Sequence, residues 1–204
     1  MLVLTIDQIG SRRLGDRVDG LLSDLAGWLP DGTAGVVRAF ERTVGDEVQA
    51  VLDDPELAVD VALRVLRRGG WSIGIGAGPV DEPLPASARA GSGPAFVLAR
   101  DAVERAKSRL RPVPIAVAAS SDDRARDCEA VLSLVGAIMS RRTPQGWAVI
   151  DTVIALGPET TQDQVAAHLG ISQQAVSQRL RTALWAEETA VRPVAARLLD
   201  EGDR

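Results

Sequence analysis

The sequence predicts an α+β chain in two parts, a mixed α/β domain followed by an all-α domain. Three observations predict it. Short β-type runs alternate with helical stretches as far as residue 120. Beyond that point every periodic stretch is helical. One of these later stretches, Thr161 to Leu184, reads as two short helices joined at Gly170.

The 204 residues fit one or two domains. Hydrophobic residues make up 46% and aromatic residues 3%, so the expected core is Val, Leu, Ala and Ile. The net charge of −5 argues against a surface coated in positive potential. Any nucleic-acid binding must then rest on local groups. The basic residues are nearly all Arg, with Lys107 the only lysine. Cys128 and His168 are each the only residue of their type, which excludes a disulfide framework and a cysteine zinc site. The N-terminus lacks a basic leader region, and its apolar run stops at Asp7. No apolar run approaches the ~20 residues of a membrane span. The expected compartment is a reducing cytoplasm, with no membrane contact.

In chain order, Met1 to Ile6 is a strand ending on Asp7, and Gly10-Ser11 turns the chain. A helix is expected over Arg12 to Leu29, with its stripe at Leu14, Val18, Leu21, Leu22, Leu25 and Leu29. Pro30-Asp31-Gly32 breaks it. Val36 to Thr43 and Glu47 to Leu52 form a hairpin around Val44-Gly45-Asp46. Asp54-Pro55-Glu56 starts a helix to Arg68 with a cap, a proline at the first helical position and an early acid. Trp71 to Gly78 is a strand thinned by glycines, which lets another backbone or a ligand come close. Residues 79–94 read as a mobile loop. Ala95 to Leu110 is a helix, and Val113 to Ala119 a strand. The β-α-β-β-α-β-α-β order contains the ferredoxin-like β-α-β-β-α-β series.

The remaining stretches are helical: Asp122 to Arg142, a second from Thr143-Pro144 to Gly157, the two-helix unit, and Glu187 to Leu199, kinked at Pro193. Asp200 to Arg204 reads as a polar tail. The expected division is 1–120 for a ferredoxin-like domain, 121–142 for a linker or dimerisation helix, and 143–204 for a helix-turn-helix domain.

Thr161 can cap the first helix of that unit, with Gln164 reaching back as in a capping box. Gly170 supplies the left-handed turn, and Ser172 caps the second helix. Val176, Leu180, Ala183 and Leu184 form the second helix's buried stripe. The opposite face carries Gln174, Gln178 and Arg181, flanked by Gln173 and Ser177. Gln pairs with adenine, and Arg with guanine or phosphate. The expected DNA-binding set is Ser172, Gln173, Gln174, Ser177, Gln178, Arg179 and Arg181, acting on double-stranded DNA as a homodimer. A plain helical hairpin in a bundle would show the same two helices.

Two acids stand out in the first part. Asp7 ends the first strand, and Asp46 lies at the hairpin tip beside Glu47. In a ferredoxin-like sheet these strands are neighbours, so both carboxylates can converge at one edge. Two carboxylates suit Mg²⁺, which fills its other positions with phosphate and water. Asp at strand ends and in Gly-Asp turns is also ordinary, and spacing alone leaves both readings open. Gly10-Ser11-Arg12 could add backbone amides and a cation for phosphates.

Val44-Gly-Asp-Glu-Val48 resembles the signature of GGDEF and class III nucleotidyl cyclase palm domains. Ser72-Ile-Gly-Ile-Gly76 resembles their next strand, and Ala99 to Lys107 their next helix. A closer resemblance is to the SatD family of bacterial proteins, which join such a domain to a C-terminal helix-turn-helix. It is carried by Ile6 to Arg12, Gly45-Asp-Glu-Val-Gln49, Gly74-Ile-Gly76 and Gly93 to Arg100, and it covers nearly the whole chain. The resemblance implies a nucleotidyl cyclase palm-like fold. It implies Mg²⁺ on Asp7 and Asp46, and a nucleotide held by Gly10, Ser11, Arg12, Gly45, Glu47, Lys107 and Arg111. Val44 departs from the signature's first glycine and Val48 from its final aromatic. The expected function is a DNA-binding transcriptional regulator whose first domain senses a ligand or dimerises. The alternative is a nucleotidyl cyclase or transferase with a DNA-binding tail.

Overall fold

A computed structural model describes residues 1–202. The fold is α+β, built on a five-stranded mixed sheet. The strands are β1 (Leu2–Gln8), β2 (Val36–Arg42), β3 (Glu47–Leu52), β4 (Trp71–Ala77) and β5 (Ile115–Ala119), in the order β2-β3-β1-β4-β5. β1 runs antiparallel to both β3 and β4, and β5 parallel to β4. A parallel pair needs a crossover, here supplied by α4 (Pro94–Ala106).

The strand period of two sorts the residues between two unlike faces. Leu2, Leu4 and Ile6 look to one face with Ile73, Ile75, Ile115 and Val117. That face is covered by α2 (Val18–Trp28), α3 (Pro55–Arg68), α5 (Asp122–Met139) and α9 (Trp185–Gly202). The other face carries Val3, Gly74, Gly76, Ala116 and Ala118, and α4 lies on it through an alanine stripe: Ala95, Ala99, Ala102 and Ala106. Small residues on both sides bring helix and sheet backbones into contact. The glycines of β4 therefore admit a backbone.

Several expected elements are corrected. The single helix over 12–29 is two: α1 (Ser11–Leu14) and α2. Gly15, at φ +76°, breaks the run, and Leu14 is exposed. The Gln8 amide holds the break open by donating to the Gly15 carbonyl at 2.6 Å and accepting from the Arg17 amide at 2.8 Å. The stretch 79–94 is tied to the edge strand β2. Glu41 accepts from the Ser87 hydroxyl and the Arg89 amide, each at 2.5 Å, and Arg38 donates to the Leu84 carbonyl at 2.8 Å. Those bonds hold the Glu41 carboxyl below its ordinary range, the Arg89 amide contributing most. α4 stops at Ala106, four residues short of the expected end.

The segment 121–142, expected as a linker or dimerisation helix, lies against β5, α3 and α9. Its Ala125, Cys128, Leu132, Val135 and Met139 belong to the main core. Burial pushes the Cys128 thiol up to about 12. The final helix continues through Pro193 to Gly202, and Ala195, Ala196 and Leu199 return to that same core. The expected polar tail is therefore helical as far as Gly202, and its last two residues lie outside the described range. α6 (Pro144–Leu156), α7 (Gln162–Leu169) and α8 (Gln173–Thr182) share a smaller core of Val149, Val165, Ala166 and Val176.

Candidate functional site

Two regions hold the residues singled out by the sequence. The first is the end of the sheet where β1 finishes. Asp7 lies inside β1, on the face that α4 covers, paired in register with Glu47 on β3 and Ser72 on β4. Lys107 follows the last turn of α4, and its Nζ reaches Asp7 Oδ2 at 3.0 Å and Glu104 Oε1 at 2.7 Å. The close packing of α4 on Gly74 and Gly76 is what carries Lys107 to this edge.

A pocket of about 410 Å³ opens here, lined by Asp7, Gly10, Ser72, Lys107, Arg109 and Arg111 among others. The Ser72 hydroxyl is buried and has no hydrogen-bond partner among the described residues. The β1–β4 register places Ser72 beside Asp7, and no signal in the sequence gives that register. Gly10, in the left-handed region at φ +73°, turns the chain from β1 into α1.

The expected nucleotide set is brought together only in part. Gly10, Lys107 and Arg111 line the pocket, while Ser11, Arg12, Gly45 and Glu47 lie off its lining. The Arg111 guanidinium is engaged elsewhere: it donates to Glu129 Oε1 at 2.6 Å and to the Ile115 carbonyl at 3.1 Å. Burial alone would raise the Glu129 carboxyl, but the Val117 amide, Arg111 and Arg105 outweigh it and hold it below the usual range. Glu47 accepts from the Thr43 hydroxyl at 2.6 Å.

The Asp46 carbonyl accepts from the Gln8 backbone N–H at 3.2 Å, which ties the hairpin tip to the end of β1. Asp7 and Asp46 are near enough for their charges to interact. Two carboxylates meet what Mg²⁺ asks of a protein when water and phosphate complete its shell. No group of three or more His, Cys, Asp or Glu side chains suited to a metal occurs among the described residues.

Burial raises the Asp7 carboxyl. Lys107 pulls it back down, and the Asp46 and Glu47 charges push it up, leaving it above the ordinary aspartate range. Lys107 is opposed by burial but held above its usual value by Glu104 and Asp7. A raised folded-state value means the native protein binds the proton more tightly than the unfolded chain does. This contribution is fully present below about pH 3.9, the unfolded aspartate value, and is lost as pH rises through the folded-state value. Lys107→Ala removes the one cation that lowers Asp7, so the Asp7 midpoint is expected to climb further. Carboxyl-carbon NMR titration of both proteins checks this, and an unchanged or lower midpoint in the variant would contradict the ion pair.

The second region is the α7–α8 pair. Thr161 and Gln164 form a reciprocal capping box at the start of α7. Gly170 ends α7 in the left-handed region at φ +64°, and the Ser172 hydroxyl accepts from the Ala175 amide at 3.2 Å. Val176 and Ala183 are buried and Leu180 is half-buried. Leu184, expected in this stripe, is 38% exposed at φ +52°, because the chain turns there from α8 into α9.

Gln174, Gln178 and Arg181 are exposed, one or two turns apart on α8. Arg181 donates to Gln178 Oε1 at 2.9 Å. Gln173 is turned toward α7, donating to Gln162 at 2.6 Å. Ser177 and Arg179 are half-buried, and Arg179 shares a small cavity with Arg142 and Thr143. No helix among the described residues is long and apolar enough to cross a membrane. The chain matches no family model, no curated protein and no solved structure.

Proposed function

We propose that the protein is a DNA-binding transcriptional regulator, with α7 and α8 as a helix-turn-helix and α8 as its recognition helix. The observation that carries it is the exposed row Gln174, Gln178 and Arg181 on a short helix capped by Ser172. These side chains sit opposite the buried Val176, as a helix laid in the major groove requires. The chain is acidic, and α8 brings only Arg179 and Arg181 as cations. Two copies, reading half-sites one helical turn apart, supply the affinity that one lacks.

The strand order β2-β3-β1-β4, antiparallel throughout, supports a ferredoxin-like, palm-like first region extended by β5. Asp7, Lys107 and the unpartnered Ser72 hydroxyl support a nucleotide there, with Mg²⁺ on Asp7 and Asp46. Turnover is the weaker reading, because Arg111 is held by Glu129 and Lys107 by Asp7 and Glu104, so neither is free for phosphate.

The test is fluorescence anisotropy of the full chain with labelled duplex from upstream of its own gene, at two salt concentrations. Salt-sensitive binding that prefers this duplex over a scrambled one is expected. Gln174→Ala should weaken it by about 1–3 kcal/mol, the worth of a good base contact, with little change on scrambled DNA. Equal affinity for both duplexes, or none, would sink the proposal. A melting shift produced by nucleoside triphosphate with Mg²⁺, and absent in Asp7→Asn, tests the nucleotide arm separately.

A further inference from the structure

We infer that the cleft between α3, α6 and the start of α9 is a binding site for a small planar anion, an aromatic ring system carrying a carboxylate or a phosphate. The inference stands apart from DNA binding by α8 and from the Asp7 pocket.

The chain has four tryptophans, and three of them line this one cleft: Trp28 from α2, Trp147 from α6 and Trp185 from α9. The fourth, Trp71, is buried in the core. In a chain only 3% aromatic this is a concentration of ring surface. Each of the three indoles is half-buried, so ring area remains for a guest. Leu63 and Ile150 add an apolar floor. The cavity measures about 420 Å³, within the roughly 300–1,000 Å³ of small-molecule sites.

The polar groups favour an anion. Arg64, Arg67, Arg68 and Arg192 line the cleft against two acids, Asp60 and Asp151. All four are paired, Arg64 and Arg192 with Asp60, Arg67 with Asp151, Arg68 with Asp24 and Arg192 also with Glu188, and Arg64 uses only its Nε, which leaves its two Nη groups as donors for a guest. The arginines lie over the indoles: Arg67 is 3.9 Å from the Trp147 ring centre, Arg192 5.7 Å from Trp185, and Arg64 5.8 Å from Trp28. Guanidinium groups held between carboxylates and aromatic rings are oriented before a ligand arrives, and their remaining donors match carboxylate and phosphate oxygens. The Nη1 of Arg68 is buried and has no hydrogen-bond partner among the described residues. Such a donor is costly until it meets an acceptor.

A ring stacked on the indoles with its acid group among the guanidiniums would contact α3 and α6 at once. α6 also builds the small core under α7 and α8. A guest here therefore bears on how that unit sits against the sheet.

The test uses the full chain in isothermal titration with two probes, 1-naphthoate and adenosine monophosphate, each beside its neutral counterpart, 1-naphthalenemethanol and adenosine. At least one anion is expected to bind one to one, to quench tryptophan fluorescence, and to bind tenfold or more tightly than its neutral partner. Which anion binds distinguishes a carboxylate guest from a nucleotide. Arg64→Gln alters an exposed residue and should fold normally; it is expected to weaken that binding about tenfold. Failure of both anions, equal binding by the neutral partners, or unchanged affinity in Arg64→Gln would each overturn the inference. So would adenosine monophosphate binding that Lys107→Ala abolishes and Arg64→Gln leaves intact, which would move the guest to the Asp7 pocket.

Discussion

Glu188→Ala is expected to lose about 3–5 kcal/mol of stability, the usual cost of stranding a buried charge. Glu188 and Arg142 have side chains only 1% exposed, and they meet at 2.5 Å. Arg142 comes from the turn after α5, and its Nε donates to the Ala183 carbonyl at the end of α8 at 2.8 Å. Glu188 sits in the first turn of α9 and also pairs with Arg192, which reaches Asp60 on α3 at 3.0 Å. The network thus ties the α6–α8 unit to the helices on the sheet. Removing Glu188 leaves the Arg142 guanidinium buried without its counter-charge. A small domain has only about 5–15 kcal/mol in hand, so urea midpoints should fall sharply. The double variant Arg142→Met/Glu188→Leu removes both charges together and should recover most of the loss, because buried pairs often tolerate apolar replacement. If the single variant unfolds at the wild-type midpoint, the pair is not sealed from water as the structure has it.

What the sequence disclosed here was mostly local. The cap at Asp54-Pro55, the capping box at Thr161 and Gln164, the left-handed Gly170 and the Ser172 cap each depend on neighbours within four residues, and each is present where expected. What it hid depends on partners far along the chain. The break between α1 and α2 is held by Gln8, a strand residue. The stretch 79–94 is pinned at Ser87 and Arg89 by Glu41, more than forty residues before either. α5 has an amphipathic pattern that suits a dimer seam as well as a sheet, and only the strand order reveals which surface it covers. At the candidate site, Asp7 and Lys107 were legible as residue types. Ser72 and the engagement of Arg111 by Glu129 were not, because the first depends on the β1–β4 register and the second on where α5 packs. The Trp–Arg cleft was invisible for the same reason. Its three indoles are 119 and 38 positions apart in sequence and meet only when α9 returns to the sheet.

Gly76→Ala is expected to destabilise by about 3 kcal/mol or more, at or beyond the upper end of ordinary overpacking. A Cβ on Gly76 would run into the Ala95 carbonyl oxygen and the Ala99 amide nitrogen, with the Ala99 Cα at 2.9 Å. These are backbone atoms of α4, so no rotamer change relieves the clash. The whole helix has to lift from the sheet, and the Ala95–Ala106 stripe lifts with it. Gly27→Ala supplies the control. Gly27 lies within α2, and a Cβ there meets nothing within 4 Å. The same substitution should therefore stabilise by about 0.5–1 kcal/mol, the helix penalty of glycine. Opposite signs from one chemical change would separate steric closeness from backbone entropy. The Gly76 variant also reports on the site. Lys107 reaches Asp7 only because α4 lies this close, and a lifted helix withdraws the ammonium. The Asp7 carboxyl should then titrate higher than in the parent, as it should in Lys107→Ala. If Gly76→Ala lowers stability but leaves the Asp7 titration unmoved, the helix has adjusted at its start alone, and the glycine strand is not what positions Lys107.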